Sequence, residues 1–296
     1  MDEQLIGQVI DEYIIGPLIA VGGMGRIYQA LRERDRRIAA IKVLMPEYAL
    51  DESFRIRFWR EAELMSTLRH PHIIPVYHYG EWSGYLYIIM KLVRGPSLER
   101  VLQFRTFTPL SAWAIVRPVT EALGFGHRQQ VLHRDLKTAN ILLDVDQGRR
   151  PHVYLSDFGL GKRPGFDRTL TADGISVGTP EYMAPEVAMG GQADPRADLY
   201  SMGVMIYEIL LGRLPFQGQS AQMIALAHVD DPVPRPRLLR RDFPRSLETL
   251  LLRCLEKRPD ARFQTADELR QAYFEALSTL DEAARRQCYW VEQPRA

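Results

Sequence analysis

Cysteine is nearly absent from this chain of 296 residues: only Cys254 and Cys288 occur. Two thiols cannot build a disulfide scaffold, and such sparse usage fits a reducing compartment. Net charge is nearly absent too, with 38 Lys+Arg against 37 Asp+Glu. Bulk attraction to a polyanion or an anionic membrane is therefore not the chain's main business. Lysine is scarce, five of the 38 cations, so arginine is the default surface cation. No long hydrophobic run occurs. The most apolar stretch, Met202 to Leu211, is interrupted by Glu208 and is too short to span a bilayer. The first residues, MDEQLIGQVIDEY, carry acids and no basic region followed by an apolar run, so a signal peptide is not expected. Repeats and low-complexity tracts are missing as well. What remains is 46% hydrophobic and 25% charged, the composition of an ordinary globular chain, and a cytoplasmic location is expected.

Texture changes along the chain. Ile14 to Val21, Arg26 to Leu31, Ile38 to Leu44 and Tyr85 to Met90 are rich in branched and aromatic residues between turn signals, which predicts strands. One helix interrupts them, about Phe54 to Leu68, with apolar residues at 54, 58, 62, 65 and 68. After Gly95-Pro96 the pattern turns helical. Ser111 is expected to cap a helix running towards His127, and Pro118 to kink or split it. Leu199 to Leu211 is apolar nearly all round, the mark of a central buried helix. Asp230 to Arg237 (DDPVPRPR) reads as a surface loop, with closing helices at Ser246 to Leu255 and Thr265 to Leu277. A small strand-rich lobe, a connector and a larger helical lobe follow. A cleft between two such lobes is a usual place for a ligand.

Three local features carry chemistry. Val21-Gly22-Gly23-Met24-Gly25 joins two strands; it is either a flexible hairpin or a backbone that lets successive amides face phosphate oxygens. On the third strand Lys42 shares a face with Ile38, Ala40 and Leu44, placing an ammonium in an apolar row. On the helix Glu61 falls between Phe58 and Met65, on the face that must be buried. A buried carboxylate needs a partner, and two misplaced opposite charges on adjacent elements are expected to meet, either as a purely structural pair or at a site.

The segment His133-Arg134-Asp135-Leu136-Lys137-Thr138-Ala139-Asn140 precedes a short strand, Ile141 to Leu143, and a second strand, Val153 to Ser156, delivers Asp157-Phe158-Gly159 before Ala184-Pro185-Glu186. On these motifs the chain resembles the eukaryotic-like Ser/Thr protein kinases, the bacterial branch most closely, over about Tyr13 to Leu277. The resemblance implies an α+β, bilobal protein kinase-like fold. An N-terminal extension (1–12) would lead into a small strand-rich lobe with one helix (13–89). A hinge (90–96), a mainly helical large lobe (97–277) and a tail (278–296) would follow. It implies transfer of the γ-phosphoryl of Mg-ATP to Ser/Thr hydroxyls of protein substrates, with Mn²⁺ as the alternative ion.

Carried over residue by residue, Lys42, held by Glu61, would clamp the α/β-phosphates, and Asn140 and Asp157 would ligate the metal. Asp135 would accept the hydroxyl proton, Lys137 would balance charge on the γ-phosphate, and Thr179 would place the acceptor. The nucleotide would lie against Ile19, Ala20, Val21, Gly22, Gly23, Met24, Gly25 and Ile27. Ala40 and Leu142 would sandwich the adenine, with Met90 as gatekeeper and Leu92 among the backbone groups of 91–93. Glu186 is expected to pair with Arg262, and Asp198 to accept backbone donors of the catalytic loop.

A phosphate on Thr171 or Thr169, with Ser176 nearby, could pair with Arg134 and order the loop. Departures from the family pattern are Ala20 at the first glycine position of the loop, Lys91 in place of a common acidic residue, and Pro118. The alternative is a pseudokinase scaffold that binds nucleotide without turnover; it predicts loss of Lys42, Asp135, Asn140 or Asp157, and all four are present. Neither nucleic acid nor membrane is an expected partner. A transient homodimer through the small lobe would help one copy modify another. His70-Pro71-His72 and Tyr289-Trp290 are read as structural.

Overall fold

The computed structural model describes residues 5–145, 151–158 and 180–291. They fall into two compact units, Met1–Gly95 with Asp144–Arg150, and Pro96–Leu143 with Pro151–Ala296.

The first unit is built on a six-stranded antiparallel sheet in the order β1-β2-β3-β4-β6-β5. Its strands are β1 (Val9–Ile10), β2 (Tyr13–Gly22), β3 (Gly25–Arg32), β4 (Arg37–Leu44), β5 (Val76–Trp82) and β6 (Tyr85–Lys91). Side chains alternate across a pleated strand, so the register decides which residues share a face. Tyr28 pairs with Ile41, Ile41 with Ile89, and Val43 with Tyr87. These residues are buried in one core that also takes in Leu5 and Ile10. Register shifts between Ile15 and Ala20 accommodate Pro17, which has no N–H for the ladder. The sequence reading overlooked β5, Val-Tyr-His-Tyr-Gly-Glu-Trp, an edge strand in which His78, Gly80 and Glu81 interrupt the aromatic residues and a register shift between Val76 and His78 breaks the alternation. Helix α1 (Pro46–Leu50) and helix α2 (Glu52–Thr67) complete the unit. The second starts earlier than its apolar periodicity suggests because Asp51 caps it, accepting from Ser53 N at 2.8 Å and Phe54 N at 3.2 Å. Phe58, Ala62 and Met65 are its buried residues, as the spacing requires.

The second unit is mainly helical: α3 (Leu98–Leu102), α4 (Pro109–Arg128), α5 (Pro185–Ala188), α6 (Pro195–Leu211), α7 (Ala221–Asp230), α8 (Pro236–Leu239), α9 (Arg245–Cys254), α10 (Ala266–Ser278) and α11 (Glu282–Arg286). A two-stranded sheet of β7 (Ile141–Asp144) and β8 (His152–Leu155) accompanies them. Helix α6 is buried almost all round, with Leu199, Met202, Ile206, Ile209 and Leu210 at 1% exposure or less. Gly212 ends it in a left-handed conformation, φ 70°.

Three expectations are corrected. Thr108, not Ser111, is the N-cap of α4; Ser111 is the third residue of a capping box with it. The helix is not split at Pro118, where buried packing on both sides holds it together despite the missing hydrogen bond. Within 230–237, Asp230 ends α7, and Pro236 is buried at the start of α8. Tyr289 and Trp290 do pack on this unit: the Tyr289 ring meets Phe243 at 5.3 Å, and Trp290 Nε1 donates to Ile209 O at 3.0 Å. A Cβ at Gly212 would lie 2.5 Å from the Trp290 ring, so glycine there also makes room for the tail.

Candidate active site

In the second unit the loop 133–140 is pinned from below by one buried carboxylate. Asp198, in the first turn of α6, accepts from His133 N at 2.8 Å, Arg134 N at 2.9 Å and His127 Nε2 at 2.9 Å. Burial alone would raise its pKa, but the hydrogen bonds and the neighbouring His127 and His133 hold it below the ordinary value. This restraint keeps Arg134 in the left-handed region, φ 64°, which a residue with a Cβ adopts only when its surroundings over-determine it. Leu136 anchors the next position in the core at 1% exposure.

His133 is fully buried and neutral. Its Nε2 faces Ser156 O at 2.8 Å and must carry the proton, while Nδ1 accepts from Asp135 N at 3.3 Å. Burial lowers its pKa, in keeping with that tautomer.

Asp135 then carries the chemistry-bearing cluster. Lys137 Nζ lies 3.0 Å from its Oδ2. Asn140 Nδ2 donates to the same oxygen at 3.1 Å and to Asp135 O at 2.7 Å. Because both bonds use the amide nitrogen, Asn140 Oδ1 is turned away as a hard oxygen donor. Ser156 ties the two strands of the small sheet to this loop, donating from N and Oγ to Asn140 O at 2.9 and 3.0 Å. Asp157 follows at φ 58°, with Ser156 Oγ 3.4 Å from its Oδ2. Phe158 is buried edge-on against His133, ring centroids 4.8 Å apart. That seat exists because Gly126 lacks a side chain: a Cβ there would lie 2.7 Å from the Phe158 ring.

A second buried network was not legible in the sequence. Tyr182 OH donates to Glu208 Oε2 at 2.5 Å and accepts from Thr138 Oγ1 at 3.0 Å. Burial raises the Glu208 carboxyl to about 6. Thr138 lies between Lys137 and Asn140, so this chain links α6 and the segment Pro180–Tyr182 to the loop. Glu186 and Arg262 meet as expected, in a two-pronged pair at 2.8 and 2.7 Å.

In the first unit the sheet register gathers the other candidates. Ala20 pairs with Ile27, Gly22 with Gly25, Ile27 with Lys42, and Ala40 with Met90. Directly paired residues point to the same side, so Ala20, Gly22, Gly25, Ile27, Ala40, Lys42 and Met90 share the face opposite the Tyr28–Ile41 core. Ile19 sits in the β2 bulge and Val21 on the other side of the strand; both are exposed. Gly23 and Met24 form the two-residue turn, and Leu92 follows β6. Lys42 on β4 and Glu61 on α2 are both half-buried. Gly25 is glycine for packing, since a Cβ would lie 2.3 Å from Val43 O. At Gly23 a Cβ would meet nothing within 4 Å, and at Gly22 only Gly25 O at 3.6 Å. The fold itself does not demand glycine at 22 or 23.

Lys91, singled out in the sequence only as a departure, pairs with the nearly buried Asp144 at 3.2 Å. Leu142 lies half-buried on β7 and Arg134 is exposed. Thr169, Thr171, Ser176 and Thr179 fall outside the described residues.

A strand-rich unit with one long helix, a helical unit, and a loop in which one aspartate gathers a lysine and an asparagine above a buried aspartate define the protein kinase fold. The protein kinase domain family matches residues 13–274, and the chain belongs to that family. It is 37% identical over 279 residues to the serine/threonine-protein kinase PknD of Mycobacterium tuberculosis, covering 94% of this chain and 41% of that one. Against the serine/threonine-protein kinase PknH of Mycobacterium bovis it is 35% identical over 278 residues, covering 94% and 46%. The chain thus spans less than half the length of these curated relatives. Among solved structures, the Mycobacterium tuberculosis PknI kinase domain superposes with a TM-score of 0.73 at 29% identity, covering 92% of this chain and 98% of that one. Among the described residues no helix is long and apolar enough to cross a membrane.

Proposed function

We propose that this chain is an ATP-dependent protein serine/threonine kinase, in which Asp135 accepts the proton of a Ser or Thr hydroxyl as that oxygen takes the γ-phosphoryl of ATP. The observation that carries the reading is the Asp135 cluster. Its carboxylate is oriented by Lys137 and Asn140 on a loop over-determined by Asp198, so the base is held in place before substrate arrives.

Phosphoryl transfer asks mainly for positioning and charge neutralisation. Lys137 supplies positive charge beside the base, and Lys42, which the family resemblance pairs with Glu61, is assigned to the α/β-phosphates. The donor set fits a hard divalent cation: Asp157 offers a carboxylate and Asn140 a carbonyl oxygen freed by the use of its Nδ2 elsewhere. When bound, Mg²⁺ (or Mn²⁺) neutralises charge spreading over the phosphate oxygens. The side-chain-free positions Gly22 and Gly23, which packing does not require, fit a backbone approached by phosphates. Ala40, Met90, Leu92 and Leu142 are assigned to the adenine, with Ile19, Ala20, Val21, Met24, Gly25 and Ile27 flanking the nucleotide. Thr179 is assigned to acceptor placement and Thr171 and Thr169, with Arg134, to autophosphorylation control. Its substrates are proteins, and a transient homodimer would let one copy modify another.

Intact mass of purified, phosphatase-treated protein followed over time with Mg-ATP tests this. Stepwise gains of one phosphate each are expected in the wild type and none in Asp135→Asn. No gain in either, and no transfer to an added generic protein substrate, would overturn the reading. Phosphopeptide mapping of the product checks Thr171 and Thr169.

A further inference from the structure

Several arginines of the second unit have carboxylate partners: Arg196 with Asp194 and Asp260, Arg240 with Asp242, Arg253 with Glu268, Arg262 with Glu186. In the segment that follows α7, three arginines instead gather at one place. Arg235, Arg237, Leu238, Arg241 and Glu248 line one cavity of about 350 Å³. Among the described residues, none of these three arginines has an ion-pair partner. Arg237 Nε is buried with no acceptor, and its Nη2 reaches only Arg241 O, at 3.5 Å. A guanidinium offers five N–H donors, and the buried one here has no acceptor.

Glu248 is the single carboxylate in the lining, and its Oε1 already accepts from Arg237 N at 2.9 Å. Three guanidiniums against one carboxylate leave an excess of two positive charges around a single cavity. Like charges gathered this way repel one another unless an anion joins them. Leu238, 81% exposed, adds a large apolar side chain at the same place.

We infer that this cavity binds a phosphorylated segment of a protein partner, the phosphoryl group taken by Arg235, Arg237 and Arg241 and a neighbouring apolar side chain by Leu238. A phosphate monoester carries about −1.5 to −2 charge at neutral pH, which matches the excess, and its three oxygens suit the two-pronged geometry of guanidinium donors. A lone carboxylate would neutralise only half of it. Compactness argues against a polyanionic surface as occupant. The charge converges on one concavity containing a carboxylate, instead of spreading as a stripe or face. The inference does not depend on the kinase reading, because no residue of the Asp135 cluster takes part.

The test is fluorescence anisotropy of the full chain with a labelled short peptide bearing one phosphothreonine beside a leucine, and with its unphosphorylated twin. Anionic phosphatidylserine vesicles form a third arm. The expected result is binding of the phosphopeptide, weakened by salt, with the twin and the vesicles at least about ten-fold weaker. Arg235→Gln and Arg241→Gln replace exposed side chains without pair partners, so the fold is kept. Each is expected to weaken phosphopeptide binding about ten-fold, the loss of one charge-assisted contact. Equal binding of the twin, equal binding by both variants, or a preference for vesicles would overturn the inference. Unaltered variants would also show that the peptide was captured elsewhere, for example as a product at the Asp135 loop. Transfer to a generic protein substrate, measured alongside, is expected to be unchanged in both variants. A chain without transferase activity that still gives the expected binding pattern would sink the kinase reading and leave this one standing.

Discussion

Replacing Arg262 with methionine tests the energetics of the second unit at one side chain. The guanidinium is fully buried, and every one of its donors is used. Nη1 donates to Glu186 Oε1 at 2.8 Å and Arg196 O at 3.2 Å. Nη2 donates to Glu186 Oε2 at 2.7 Å and Lys257 O at 2.8 Å, and Nε to Glu256 O at 2.7 Å. The cation also sits 4.8 Å from the centre of the Tyr200 ring. Methionine fills much of the volume but strands the Glu186 carboxylate, which is only 18% exposed, together with three carbonyls. Removing one partner of such a pair costs about 3–5 kcal/mol, a large share of the roughly 5–15 kcal/mol that a domain has. At about 2–4 °C per kcal/mol the melting temperature should fall by roughly 10 °C. Thermal and urea unfolding of wild type, Arg262→Met, Glu186→Leu and the double variant measure this. Since the cost comes mostly from an uncompensated charge, the double variant should be more stable than Arg262→Met alone. A single-variant loss below about 1 kcal/mol, or a double variant no better than the worse single, would refute the reasoning.

Three further outcomes follow from the geometry. His228 accepts from Tyr200 OH at 2.9 Å through Nδ1, donates to Glu181 O at 3.0 Å through Nε2, and is held down to about 4 by burial. Its folded pKa lies below the unfolded value, so its contribution is present above about 6.5 and is lost as pH falls towards 4. Glu208, raised to about 6, contributes with the opposite sign, its stabilisation being lost as pH rises from 4.5 through 6. Comparing wild type with His228→Gln by urea unfolding from pH 7 to 4 isolates the first effect: wild type should lose up to roughly 3 kcal/mol more than the variant. Lys91→Glu sets a second carboxylate against the buried Asp144 and should cost about 2 kcal/mol, partly restored by adding Asp144→Lys; an unchanged urea midpoint would count against the pair. Gly25→Ala forces a Cβ into Val43 O and should destabilise by about 1–3 kcal/mol, whereas Gly23→Ala meets nothing and should leave the melting temperature unchanged while weakening ATP binding. Thermal melts beside nucleotide titrations separate the two, and equal melting temperatures would contradict the packing account of Gly25.

The order of elements was legible in the chain because it depends on local patterns. Branched and aromatic residues between turn signals marked β2, β3, β4 and β6, the spaced apolar residues marked α2, and the unrelieved apolarity of 199–211 marked the buried helix. The roles proposed for Asp135, Lys137, Asn140 and Asp157 rest on something else, the family resemblance that their motifs carry. Edge strand β5 is masked in the sequence by His78, Gly80 and Glu81 between its aromatic residues and by a register shift between Val76 and His78. The cap of α4 was misplaced by three residues because Thr108 and Ser111 are both good caps and only their reciprocal bonds decide between them. Tertiary structure alone decided the contacts between residues far apart in the chain. It placed Asp198 under residues 133 and 134, Gly126 beneath Phe158, Glu208 on Tyr182 and Lys91 on Asp144, and it gathered three arginines around one cavity with no ion-pair partner among the described residues. A local pattern says that a charge or a glycine is out of place; which distant group answers it depends on how the chain closes on itself, and that is settled only by packing.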